Sequence, residues 1–128
     1  MEILRDNQFA LLIFDKEVSC LTQLLKKNMT SAEFEKEIYE FLEVAEEVQP
    51  RNILINLQKV NFSEEINSEK WLPVNVKGYR FVSRAKKLAI VKLSEQKLVA
   101  ITSTEEKPLT TLVKTYHSEE KAFGWLYA

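Results

Sequence analysis

Short apolar runs broken by polar pairs fill the first 25 residues, and longer stretches with helical spacing follow. Met1–Arg5 and Gln8–Phe14 are separated by Asp6-Asn7, a turn-prone pair, which predicts a β-hairpin. A second polar break, Asp15-Lys16-Glu17, leads to Val18–Leu25 as a third strand. Thr30-Ser31-Ala32-Glu33 then matches a capping box. The Thr30 hydroxyl can accept from the backbone N–H three residues on, while Glu33 reaches back to the Thr30 N–H. Phe34, Ile38, Phe41, Leu42 and Ala45 follow at i, i+4, i+7, i+8 and i+11, one stripe of a helix running to about Val48. Its other face carries Glu35, Lys36, Glu40, Glu43, Glu46 and Glu47, and Pro50 ends it.

Beyond Pro50 the pattern alternates between strand and helix. Asn52–Leu57 is nearly continuously apolar, as expected of a strand covered on both faces, and Lys87–Leu93 reads the same way. Ser68–Val82, with Trp71, Val74, Gly78 and Phe81–Val82 on one side, is a predicted helix, and Ser94–Glu105 is another. Pro73 fits only near the start of the former, because deeper in a helix it would kink it. Thr110–Tyr116 is the last strand, and Ser118-Glu119-Glu120 opens a terminal helix. The predicted order is β-β-β-α-β-α-β-α-β-α. This is an α/β fold: one domain over residues 1–128, with antiparallel N-terminal strands, then mainly parallel pairing, in a mixed sheet flanked by helices.

Composition narrows the function classes. With 45% hydrophobic and 29% charged residues the chain is of ordinary globular type, and its 2 Gly and 3 Pro leave little linker material. A net charge of −1, from 18 basic and 19 acidic residues, supplies no general field for nucleic acid or an acidic membrane. The pairs Lys26–Lys27 and Lys86–Lys87 read as solvated edges, and Tyr79, Arg80, Phe81, Arg84 and Lys86 form only a weak nucleic-acid signature. No run is long enough to span a membrane, and the N-terminus lacks the pattern of a signal peptide. The single Cys20 forbids an internal disulfide and suits a reducing compartment, so the expected location is cytoplasmic.

Catalytic chemistry finds little support. Two glycines, Gly78 and Gly124, permit neither a phosphate-binding loop nor a dinucleotide fingerprint. His117, the one histidine, precedes the terminal helix and reads as a cap-proximal surface residue. Cys20 lies on a strand and reads as a small core hydrophobe. Glu64 and Glu65 stand between a strand and a helix, where a solvated acidic loop outweighs a paired acid/base role in a hydrolase. Ser63 and Ser68 precede acidic residues on this connection and are chemically open to phosphorylation, with Ser68 read first as a helix N-cap. No cofactor or metal set is predicted.

Three stretches carry a resemblance: MTSAEFEKEI, ILINLQKVNFSEEINSEKWL and YHSEEKAFGWL. In these stretches and in element order the chain resembles the STAS-like family related to anti-sigma factor antagonists, and in particular its bacterial STAS/SEC14-like branch. The resemblance implies a small mixed-sheet α/β domain that acts by binding rather than by catalysis. In the family a kinase-type partner is bound and released by phosphorylation of a serine in an Asp-Ser-Ser-Gly motif. Here the corresponding stretch after Val60-Asn61-Phe62 reads Ser63-Glu64-Glu65-Ile66-Asn67, so that motif is absent.

The expectation is therefore a non-enzymatic regulatory or protein-interaction module of STAS-like type. Its expected partner surface comprises Asn61, Phe62, Ser63, Glu64, Glu65, Ser68 and Trp71, with Ser63 and Ser68 as phosphorylation candidates. The alternative is a carrier of a small apolar ligand or lipid in a cavity between sheet and helices, to which the SEC14-like comparison points. A homodimer through a sheet edge or helix face stays open.

Overall fold

A computed structural model describes residues 1–60, 85–93 and 112–128. Within them lie six strands and two helices. The strands are β1 (Glu2–Asp6), β2 (Ala10–Asp15), β3 (Cys20–Leu25), β4 (Asn52–Asn56), β5 (Lys87–Val91) and β6 (Leu112–Tyr116). The helices are α1 (Ser31–Val48) and α2 (Glu119–Leu126). The predicted helices Ser68–Val82 and Ser94–Glu105 fall outside the described residues.

The strands form one mixed sheet in chain order, β1 through β6. β1–β2 and β2–β3 pair antiparallel, and β3–β4, β4–β5 and β5–β6 pair parallel. The sequence thus places the change of direction correctly: short turns join the antiparallel strands, whereas a helical crossover is needed between parallel neighbours.

Period-2 alternation sends successive side chains of each strand to opposite faces. On one face Leu12, Leu21, Leu25, Ile53, Ile55, Leu88 and Ile90 pack with Phe34, Ile38, Phe41 and Ala45 of α1. The predicted stripe of α1 is therefore its buried face. On the other face Cys20, Leu54, Ala89 and Val91 pack with Ala122 and Leu126 of α2. β4, like its neighbour β5, is buried at every residue but its first. Its Leu54 and Ile55 point to opposite faces at 0% and 1% exposure, and truncating either to Ala would cost about 2–5 kcal/mol. The edge strands β1 and β6 are largely exposed by contrast. A bulge between Ile3 and Arg5, together with the charges of Glu2, Arg5 and Asp6, makes β1 a poor template for another strand.

The capping box of α1 forms as predicted: Thr30 Oγ1 accepts from the Glu33 N–H at 3.2 Å, and Glu33 Oε1 accepts from the Thr30 N–H at 2.8 Å. Ser118 caps α2 by accepting from the Lys121 N–H at 3.3 Å.

Several boundaries move for identifiable reasons. β2 begins at Ala10 rather than Gln8 because Asn7 Oδ1 accepts from the N–H groups of Phe9 (2.7 Å) and Ala10 (2.9 Å), folding Gln8-Phe9 into an Asx-type turn. β3 begins at Cys20 rather than Val18 because Ser19 takes a left-handed φ of 49°. Ser19 there meets the chain entering β4: its carbonyl accepts from Arg51 (3.1 Å) and Asn52 (2.9 Å), and its hydroxyl also accepts from Arg51 (3.0 Å).

Candidate functional site at the carboxyl edge of the sheet

Open α/β sheets usually bind their ligands beyond the carboxyl ends of their parallel strands. The expected partner surface, Asn61, Phe62, Ser63, Glu64, Glu65, Ser68 and Trp71, lies wholly outside the described residues. What the structure does describe is the edge from which that stretch departs.

β4 ends at Asn56, yet its pairing continues one residue, since the Leu57 N–H donates to the Val91 carbonyl at 2.8 Å. A tight turn follows, in which the Val60 N–H donates to the Leu57 carbonyl at 3.0 Å. Val60 itself is fully buried and belongs to the core beneath α1. The chain therefore reaches Asn61 from an anchored point between β3 and β5.

A polar bracket ties this exit to α2. Asn56 is only 4% exposed, and its Nδ2 donates to Glu119 Oε1 at 2.9 Å. Asn56 Oδ1 accepts from the Gln58 N–H at 2.9 Å, and Gln58 Nε2 donates to the His117 carbonyl at 2.9 Å. In its Nδ1–H tautomer the His117 ring donates to the Lys92 carbonyl, 3.1 Å away. The Lys92 N–H in turn donates to the Tyr116 carbonyl at 2.9 Å. Three strand ends and the first turn of α2 are thus joined by polar contacts. Glu119 also places its charge at the helix end that favours an anion.

A second bracket lies at the same end of the sheet, on the α1 side. The Ala10↔Leu25 register brings the β1–β2 turn beside the end of β3. There Asn7 Nδ2 donates to Glu37 Oε1 at 3.1 Å and approaches Glu40 Oε2 at 3.5 Å. Glu37 is 3% exposed, and burial pushes its carboxyl pKa up, with the neighbouring Glu40 charge adding to the rise. Glu40, placed by spacing on the face opposite the apolar stripe, is half-buried and drawn into this bracket.

The remaining candidates fall where their chemistry suggests. His117 is exposed and immediately precedes the Ser118 cap. Cys20 is 2% exposed, and burial raises its thiol pKa, so the residue packs as a core hydrophobe. Trp125 packs against the sheet, with the ring of Tyr116 5.9 Å away and the ammonium groups of Lys87 and Lys114 each 5.3 Å from its centroid. Among the described residues no group of three or more His, Cys, Asp or Glu is arranged to hold a metal ion. No described helix is long and apolar enough to cross a membrane.

The bracket residues Asn56, Gln58 and Glu119 are not evident in the sequence as a set. The available signal is Asn56, a lone amide at the end of an apolar run, which burial obliges to find a partner.

No family model, no curated protein and no solved structure matches this chain.

Proposed function

We propose that this protein is a regulatory module that acts by binding a protein partner, as the STAS-like resemblance implies, and that the partner meets the stretch from Asn61 to Trp71. Within it Phe62 and Ser63 make the principal contacts, flanked by Glu64, Glu65, Ser68 and Trp71. The observation that carries this reading is the anchoring of the preceding residues. Val60 is fully buried, and Asn56 and Gln58 are braced against α2 and His117. A segment launched from a fixed support loses less freedom on binding than one launched from a loose support. Recognition residues are commonly carried on connections held by such rigid scaffolds.

The polar side chains of this edge support binding over catalysis in one further respect. Asn56, Gln58 and Glu119 are engaged with one another, which suits them to holding the chain rather than to reacting.

The test begins by identifying the partner captured by the purified protein from its host and reconstituting the complex from pure components. Phe62→Ala is expected to weaken that complex at least about tenfold, as truncating an aromatic anchor does, and Ser63→Glu to weaken it by charge. Thermal unfolding of both variants should match the parent. A dissociation constant unchanged by both substitutions would remove this stretch as the contact surface.

A further inference from the structure

We propose that a hollow at the opposite end of the sheet, where the parallel strands begin, binds a small ligand bearing a phosphomonoester group. This inference is independent of the partner-binding reading and uses different residues.

The hollow encloses about 570 Å³. That lies within the roughly 300–1,000 Å³ typical of small-molecule sites. Its walls are the β2–β3 turn, the residues entering β4 and β5, and the end of α2. Four cations line it, Lys16, Arg51, Lys86 and Lys87, against the side-chain carboxylate of Glu17. They come from three separate parts of the sequence. Backbone bonding brings two of them together, since the Lys86 N–H donates to the Arg51 carbonyl at 2.7 Å. The Ser19 hydroxyl and carbonyl hold the Arg51 N–H from the other side.

Lys87 already has a task. Its Nζ donates to the carbonyls of Trp125 (2.9 Å) and Ala128 (3.3 Å), countering the partial negative charge at the end of α2. Among the described residues the side chains of Lys16, Arg51 and Lys86 enter no ion pair and no hydrogen bond. Elsewhere Arg5 pairs with Glu43, and Lys26 with Asp6. Three unpaired cations less one carboxylate leave a local excess of two positive charges, in a chain whose net charge is −1.

A phosphomonoester near pH 7 carries about two negative charges and three strong acceptor oxygens. Arg51 can present its planar fork to two of those oxygens, while Lys16 and Lys86 supply mobile point charges. Tyr127 also contributes to the wall of the hollow. Glu17 is placed to accept from a hydroxyl or amine elsewhere on the same ligand.

The test uses the full chain, labelled with ¹⁵N, at low ionic strength. Titration with glycerol phosphate is expected to give saturable amide shifts at Ser19, Arg51 and Lys86. Arg51→Ala combined with Lys86→Ala should weaken the apparent affinity at least tenfold, while Lys27→Ala, on another surface, leaves it unchanged. Lys16→Ala provides a second, separate removal of charge should the double variant fail to fold. Sedimentation with phosphatidylcholine vesicles containing phosphatidic acid separates the two sources of the group. Binding to vesicles but not to glycerol phosphate would assign a lipid headgroup, and the reverse a soluble metabolite. Shifts that never saturate, or saturable binding that survives both charge removals, together with no vesicle binding sensitive to them, would overturn the proposal.

Discussion

The two ends of the sheet differ in how they treat polar groups. At the carboxyl edge the buried polar side chains Asn56 and Glu37 each meet a neighbour, Glu119 in one case and Asn7 in the other. At the amino edge the side chains of Lys16, Arg51 and Lys86 have no partners among the described residues. Backbone strain divides the same way. Ser19 and Gln49, the non-glycine residues with left-handed φ among those described, lie beside the starts of β3 and β4. A left-handed residue with a Cβ costs of order 1 kcal/mol, held in place by the surrounding bonds. One edge is built to be fixed, the other holds charge and strain in reserve. Satisfied polar groups contribute to stability, whereas unpaired surface charges are the ones left for a ligand.

The contrast predicts a graded set of outcomes. The largest is expected for Asn56→Ala, which strips partners from the Gln58 N–H and the Glu119 carboxylate. Urea unfolding should show a loss of about 1–3 kcal/mol, with the slope unchanged. Gln49→Gly should act in the opposite direction, adding up to about 1 kcal/mol by relieving its left-handed φ of 46°. The same urea measurement reports it, and a loss instead would show that the Gln49 side chain itself holds the turn.

A pH series addresses Glu37. Its folded pKa lies above the ordinary value of 4.5, so the folded state holds this proton more tightly than the unfolded chain does. Stability contributed at this site is therefore greatest below pH 4.5 and falls as pH rises through the raised folded value. Glu37→Gln keeps the Asn7 contact without the charge and should flatten this part of the profile. An unaltered profile would show that Glu37 is not its source.

The smallest change is expected at the amino edge. Arg51→Ala and Lys86→Ala should each alter stability by less than about 0.5 kcal/mol, and lowering the salt should shift this toward a gain as repulsion among the cations is relieved. A loss there as large as that of Asn56→Ala would erase the distinction between the two ends.

Much of this fold is written locally in the sequence. The Thr30–Glu33 box and the Phe34-to-Ala45 stripe define α1 because capping and face burial depend on residues within a few turns of each other. The runs Asn52–Leu57 and Lys87–Leu93 reveal enclosed strands for the same reason. Ser19 escapes such a reading, because its left-handed turn is stabilised by Arg51 and Asn52, 32 and 33 residues further along. Glu37 escapes it too, as its inward position depends on Asn7 in a hairpin 30 residues away. The lysine pair at Lys86–Lys87 reads as a solvated edge, yet the fold divides it: Lys87 closes the end of α2 while Lys86 lines the hollow beside Arg51. Charges that converge only through sheet register leave no motif. The proposed partner stretch from Asn61 to Trp71 rests on its strand-to-helix context and family resemblance, and only its departure point lies among the described residues.

The sheet's simple ordering has a consequence for biogenesis. Because β1 through β6 are laid down side by side in chain order, each strand emerging from the ribosome finds its partner already made. Among the described strands none must be inserted between two that are already paired, and the longest wait is that of β5, which follows β4 after 30 intervening residues. The growing sheet therefore always has one fresh edge, advancing from β2 to β6. Synthesis paused after β4 would leave Asn52–Asn56 as that edge, with Leu54 facing solvent on the side that α2 later covers. Such a nascent chain exposes an unpaired strand edge, the kind of surface that promotes aggregation, until β5, β6 and the closing helix arrive.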